Sequence, residues 1–384
     1  MKKIAAALCS ILFVSSLSFG LEWGGTFGNG TSFIGKDDLK LRQTNDLGLW
    51  LSVPITKNNT IYFSTQGSYR LKIDESDNAK EEVTNILNVD VMKLSMILPL
   101  GTKAKYVMNL GRFSLSDATG YVFNQVSDGL LIKFSTQLAD IQVYGGYTGL
   151  LNSKTVSILN SKKTSYSEGD NDFYSVCPKY VPFGFSLSLP SMTSNQTLIL
   201  QGWGFKDLEK DLDDSSYDRW YGSLILDGYL TKNFAYNFST VLGSENFDTL
   251  MNLTSLHYFI YPASGSTIKF GATYASGSEG PLVPFKGFTS VKAANSMSEP
   301  EYTSLFKPDF AVSILFGSKV ALNLGGAAFF NPYDYFKFNG FQIDGSVLFN
   351  IFSDMQLALG GCQYIDQESD DNKTTISVSF ESNS

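Results

Sequence analysis

The sequence predicts an all-β protein, a transmembrane antiparallel β-barrel of about 18 strands with 16 the main alternative, behind a cleaved signal peptide. Three observations carry this. Apolar and polar residues alternate with period two through nearly the whole chain, and windows of helical periodicity are scarce. Most alternating segments reach the ~9 to 11 residues of a tilted membrane strand, whereas strands of soluble proteins cluster at about 5 to 6. The connections between them alternate between short and long along the chain.

The amino terminus reads Met1-Lys2-Lys3, then an apolar run from Ile4 to Val14, then small residues ending Ser18-Phe19-Gly20. That order is a secretory signal peptide, which divides the chain into a leader at 1–20 and one barrel domain at 21–384. Serines and glycine break the apolar run before the ~18 residues that a helical span needs. Cys9 follows Ala6-Ala7-Leu8 too early, inside the apolar run, to mark a lipoprotein. Losing Lys2 and Lys3 with the leader takes the formal net charge from -8 to -10.

The first strand, 22–34, contains Gly24-Gly25-Thr26-Phe27-Gly28-Asn29-Gly30. It resembles a phosphate loop only as a string, with no strand before it and no helix after it. In a barrel such glycines permit curvature and close backbone approach. Strands at 45–54 and 60–73 follow; in the latter Ile61, Phe63, Thr65, Gly67, Tyr69, Leu71 and Ile73 share one face, and Tyr62, Ser64, Gln66, Ser68, Arg70 and Lys72 the other. Next come 84–98, 104–113 and 128–138, the last dividing Leu130, Ile132 and Phe134 from Leu131, Lys133 and Ser135. The series continues through 141–149, 180–190, 196–206, 219–230, 233–243, 249–261, 267–277, 306–316 and 319–329. It ends with 339–350, where Phe341, Ile343 and Val347 oppose Gln342, Asp344 and Ser346, then 355–364 and 373–381.

Short turns are expected at 57–59, 100–102, 139–140, 191–195, 231–232, 263–265, 317–318 and 352–354. Longer connections are expected at 35–44, 74–83, 114–127, 150–179, 207–218, 244–248, 278–305, 330–338 and 365–372. Outer-membrane barrels show this asymmetry, and an even strand number returns both termini to one side. A β-sandwich has no reason to show it.

Composition narrows the function. Charged residues make up 17% of the chain, against roughly 25% in soluble domains. The acidic excess, without a basic stripe, argues against nucleic acid, whose phosphates need clustered Lys and Arg. Much of the acidity falls in the loops at 74–82, 207–218 and 366–371, and none of these fits the twelve-residue calcium-loop spacing. Trp23, Trp50, Trp203, Trp220, Tyr221, Phe316 and Phe329 fall near strand ends, as interfacial girdles would. Cys177 and Cys362 make neither a disulfide framework nor a zinc site and read as separate thiols. No metal and no cofactor is expected.

His257 is the only histidine, and no Gly-x-Ser-x-Gly elbow accompanies it, so it reads as a polar residue facing the lumen or an interface and enzyme activity is not expected. The remaining candidate site is the barrel interior, wide enough at 16 to 18 strands for an aqueous channel. The pore-lining candidates are the wet-face charges Arg70, Lys72, Asp90, Lys133, Lys269, Asp309 and Asp344. A Lys or Arg facing lipid near midplane would cost roughly 2–4 kcal/mol, so these should face water. The loop after the fifth strand could fold inward and narrow the pore; its candidates are Arg112, Asp117 and Asp128.

The leader, the oily-outside strand pattern, the alternating connections and a final strand bearing Ile376, Val378 and Phe380 together resemble the porin-like outer-membrane β-barrels of diderm bacteria, over residues 1–381. In that group a terminal aromatic is commonly read by the barrel-assembly machinery, which implies that part for Phe380. This chain departs from the pattern by adding Glu381-Ser382-Asn383-Ser384. The resemblance implies residence among outer-membrane lipids, passive diffusion of small hydrophilic solutes, and the homo-oligomers common in this architecture. The alternatives are a barrel for hydrophobic, fatty-acid-like solutes, and a surface-exposed structural or adhesive barrel that binds partners through loops 150–179 and 278–305. A soluble all-β periplasmic protein is the runner-up fold.

Overall fold

A strand sends alternate side chains to opposite faces, so a long period-two chain can cover an apolar exterior and a wetter interior with one sheet, provided its edges are paired. The computed structural model describes residues 20–35, 39–56, 58, 60–76, 79–156, 158–159, 173–193, 195–209, 217–262, 265–277, 282–289, 302–367 and 373–383. The expected leader lies, apart from Gly20, outside the described residues. The strands are β1 (Glu22–Gly35), β2 (Leu39–Pro54), β3 (Ile61–Ser76), β4 (Ala79–Leu100), β5 (Ala104–Ser116), β6 (Asn124–Thr136), β7 (Asp140–Tyr147), β8 (Tyr180–Thr193) and β9 (Gln196–Asp207). They continue with β10 (Arg219–Thr231), β11 (Phe234–Glu245), β12 (Met251–Ile260), β13 (Ser266–Ala275), β14 (Leu305–Phe316), β15 (Val320–Asn331), β16 (Lys337–Phe352), β17 (Met355–Asp366) and β18 (Lys373–Asn383). Each pairs antiparallel with its chain neighbours, and β1 pairs with both β2 and β18, so 18 strands close without a free edge.

The outward face is apolar. Leu49 (63% exposed), Leu242, Phe310, Ile343 and Ile376 stand exposed on it, an extended apolar belt of the kind soluble monomers do not present. Replacing Leu49 by Arg is expected to cost roughly 2–4 kcal/mol of folding free energy in bilayers. Denaturant titration in liposomes checks this, and a variant as stable as the parent would place Leu49 in water.

Several strands outrun the expected bounds. β2 begins at Leu39 and β4 at Ala79, so the connections expected at 35–44 and 74–83 shrink to 36–38 and 77–78. The residues between are polar, which hid the alternation, and ion pairs hold them in the sheet: Arg42 Nε donates to Asp74 Oδ1 at 2.6 Å across β2 and β3. In β4 the register slips at Asp90, with Gln66 opposite Val91 but Gly67 opposite Val89. The bulge inverts the facing, so that Leu87 and Val89 stand outward on one side of it and Met92 and Leu98 on the other. Three of the aromatics expected at the girdles lie elsewhere. Trp203, Tyr221 and Phe329 are buried on the inward face, because segments inside the barrel give them apolar partners.

The wall forks at β5 and β6. β5 pairs with β4 only as far as Arg112 opposite Met92, and β6 with β7 only as far as Asp128 opposite Tyr147. Beyond the fork the two strands pair only with each other, up to Ser116 opposite Asn124. Gly111 sits at the fork with φ +119°, and a Cβ there would lie 2.2 Å from the Met92 carbonyl oxygen, so only glycine fits. The edge of β4 that the hairpin leaves is taken by the β7–β8 connection: Leu87 N donates to Phe173 O at 3.2 Å, and Asn152 Nδ2 donates to Leu87 O at 3.1 Å.

Candidate functional site: the barrel interior

The free end of the β5–β6 hairpin lies inside the barrel. Ala118 N donates to Gln201 Oε1 at 2.8 Å, and Gln201 shares the inward face of β9 with Trp203 and Phe205. Phe123 stacks on Trp203 with ring centroids 5.4 Å apart. Asp117 shapes the tip: Oδ1 accepts from Val122 N at 3.0 Å and Phe123 N at 2.8 Å, while Oδ2 accepts from the Thr119 amide at 2.9 Å and from the Thr119 hydroxyl. A carboxylate is the residue for this turn, because it accepts several amides at once and relieves a buried tip of unpaired donors.

A second segment, 282–289, runs inside against the same wall. Phe288 N donates to Val122 O at 2.9 Å, Asn124 N to Thr289 Oγ1 at 3.0 Å, and the Phe288 and Phe205 rings stack at 3.8 Å. Ile158 bridges Thr289 on its other side. From the wall, the Tyr221 hydroxyl donates to Lys286 O at 2.7 Å and Arg219 Nη1 to Gly287 O at 3.1 Å. Together with Leu151, Val156, Val241, Met251 and Leu253 these residues make one apolar core. It packs against β7–β12 and reaches Leu305 on β14, Phe329 on β15 and Tyr364 on β17.

Arg112 and Asp128 hold the fork. Arg112 Nε and Nη2 donate to the two Asp128 carboxylate oxygens at 2.7 and 2.8 Å, and the guanidinium also donates to Val89 O at 3.1 Å and Leu150 O at 2.6 Å. The pair is mostly buried, with side-chain exposures of 9% and 18%. Sequence spacing placed these residues at the base of an inward loop. In the structure their charges are spent on each other and on the backbone around the fork, and Asp117 is spent on its own turn.

The opposite side of the interior is polar. On β2 and β3, Arg70 pairs with Asp46 at 2.5 Å, and Asp74 takes both Arg42 (2.6 Å) and Lys72 (2.5 Å). On β12–β14, Asp309 accepts from Lys269 Nζ at 3.1 Å and faces His257 Nε2 at 3.0 Å, while Lys307 Nζ stands 5.6 Å from the Tyr302 ring centroid. On β16, Gln342 Nε2 donates to Asp344 Oδ1 at 2.8 Å. Small hydroxyl residues such as Ser377 and Ser379 alternate inward on β18, opposite in facing to Ile376 and Val378.

The expected inward charges are therefore spread around the wall. Arg70 and Lys72 gather on β3, Lys269 and Asp309 on β13 and β14, and Asp344 stands on β16. Lys133 lies nearer the short-turn end, 3.6 Å from Asp140. Asp90 is drawn aside by the bulge to accept from Asn88 Nδ2 at 2.6 Å. Sequence reading missed Arg42, because it falls in a stretch taken for a loop, and Asp46, because no opposing charge was visible without the β2–β3 register.

Cys177 and Cys362 are free thiols. Cys177 is 2% exposed in the core, and burial pushes its thiol up to about 12. Cys362 faces inward, opposite Asp344 in the register. A small hydrophilic thiol reagent at pH 8 should label Cys362 in the folded barrel and Cys177 only after denaturation, as peptide mass analysis would show. Labelling of Cys177 alone would mean that water does not reach the polar side.

No family model and no curated protein matches this sequence. Solved structures do match its fold. Acinetobacter baumannii OccAB4 has TM-score 0.61 at 11% identity, over 95% of this chain and 98% of that one. Pseudomonas aeruginosa OccK7 (OpdD) has TM-score 0.64 at 9% identity, over 94% and 99%. Pseudomonas aeruginosa OpdK with vanillate has 0.61 at 11% identity, over 94% and 99%. These are outer-membrane porins. The chain has their fold.

Proposed function

We propose that the protein is a channel of the bacterial outer membrane for passive diffusion of small hydrophilic solutes. One observation carries this: an edgeless barrel with an apolar exterior encloses an interior that is packed on one side and lined with paired charges on the other. Charges of both signs held in the wall can replace a solute's hydration without reorganising. The inserted segments narrow the route to the polar side, so Arg42, Asp46, Arg70, Lys72, Lys269, Asp309 and Asp344 act on what passes. The small carboxylate vanillate, present with OpdK, is a molecule the cationic members of these pairs would suit. The channel needs no cofactor, performs no enzymatic step, and is inserted through the barrel-assembly machinery with Phe380 as its terminal aromatic. The mature domain is 21–384, assembled as a homo-oligomer.

Single-channel recording in a planar bilayer under a salt gradient tests this. Stable conductance steps are expected, and Asp309→Asn should shift the reversal potential toward anion selectivity, because Lys269 and Lys307 then lose their opposing carboxylate. A folded, inserted barrel that never conducts would overturn the reading and favour hydrophobic-solute transport or surface binding.

A further inference from the structure

The outward face of β7–β11 carries an unfilled groove of about 560 Å³ near the long-loop end. The register explains it. Val143, Phe185, Gly202, Gly222 and Leu242 stand in one row across five strands, and nothing comes within 4 Å of where a Cβ would stand on either glycine. The wall is thin there between larger neighbours. In the next row up, the Phe183 ring lies over Gly204 and meets Trp220 edge-on at 5.3 Å, roofing the notch.

The upper end of the groove is polar and unsatisfied. Ser244 is 92% buried, as its 8% exposure gives, and its Oγ has no hydrogen-bond partner among the described residues; neither has Trp220 Nε1 beside it in the same row. Buried donors of this kind are normally paired, so the pair points to an acceptor supplied from outside the chain. One row further up stands Lys206, 53% exposed and in contact with Asp218, with the exposed Lys179 just before β8. From bottom to top the surface thus offers an apolar notch, two hydrogen-bond donors, and ammonium groups.

We propose that this groove holds one membrane lipid with an anionic, phosphate-bearing headgroup. An acyl chain fills the Gly202–Gly222 notch, the ester oxygens accept from Trp220 Nε1 and Ser244 Oγ, and the phosphate meets Lys206. The order of chemistries along the groove is that of such a lipid from tail to head. The inference rests on the membrane placement proposed above, but not on conduction.

Tryptophan quenching by lipids with brominated acyl chains tests it, in phosphatidylcholine liposomes containing a minority of phosphatidylglycerol. The Trp220 signal is the difference between the parent and Trp220→Phe. Brominated phosphatidylglycerol is expected to quench Trp220 about fivefold beyond its mole fraction, as one lysine near the surface would favour, and brominated phosphatidylcholine no more than its share. Gly202→Leu/Gly222→Leu should abolish the excess with conductance steps unchanged, since both positions are open and face away from the interior. Lys206→Gln should abolish the headgroup preference. Quenching at mole fraction in the parent, or an excess that survives the double leucine variant, would overturn the proposal. So would an oligomer, seen by light scattering, that the leucines dissolve, because a second copy would then occupy the groove. Failure of the channel reading would instead show as absent conductance with the quenching intact.

Discussion

Replacing residues 114–126 by a short turn should raise single-channel conductance several-fold while the barrel stays closed. The hairpin beyond Arg112 and Asp128 pairs with neither β4 nor β7, so its removal breaks no strand-pairing hydrogen bond of the wall and loses the side-chain contact of Ala118 N with Gln201. The edge it leaves on β4 is already engaged by Phe173 O and Asn152. Loss of Phe123 from between Trp203, Phe205 and Phe288 resembles a large-to-small core change, about 3–5 kcal/mol. That loss falls on the inserted core and leaves the eighteen-strand ladder intact. Bilayer recording gives the conductance, and heat-modifiable electrophoretic migration reports whether the barrel persists. Unchanged conductance in a persistent barrel would show that the hairpin lies beside the conducting route.

Arg112→Ala should be the most damaging single substitution in the chain. It removes a guanidinium that gives two hydrogen bonds to Asp128 and others to the carbonyls of Val89 and Leu150. What remains is a mostly buried carboxylate with no cation, a Val89 carbonyl that has lost its guanidinium donor, and a Leu150 carbonyl left with the Tyr174 hydroxyl. Removing one partner of a buried pair costs roughly 3–5 kcal/mol, mainly because the other is left uncompensated. Arg112→Ala/Asp128→Ala should therefore recover part of the loss. Denaturant unfolding in liposomes measures both, and bilayer recordings of the single variant should show larger, noisier openings as the hairpin swings at the fork. Equal stability of the single and double variants would mean that the pair does not hold the fork.

The two variants probe features of different visibility in the sequence. Alternation such as that of Ile61 to Ile73 was legible because period two is local: each residue's facing follows from its neighbours, whatever the rest of the chain does. The strand count, the apolar exterior and the inward facing of Arg70, Lys72, Lys269, Asp309 and Asp344 follow from that rule alone. Locality also set its limits. The bulge at Asp90 inverts the facing within β4 and leaves no sign in composition, and the upper ends of β2 and β3 escaped notice because Arg42 and Asp74 are polar until paired.

The sequence by itself determined a barrel, its approximate strand number and, wherever the alternation runs unbroken by a bulge, which face of a strand a residue takes. Only the tertiary structure decided what the interior is. Asp117 looked like a free charge at a loop tip, and it is consumed by three amides of its own turn; Trp203 and Tyr221 looked interfacial, and they are core. The physical reason is that the Asp117 turn, though closed by its own amides, is seated inside the barrel, and Trp203 and Tyr221 are buried, through contacts between segments remote in the chain, as where Phe288 meets Val122 and Phe205. Such contacts are chosen by packing and hydrogen-bond satisfaction across the enclosed space, and no period along the chain encodes them.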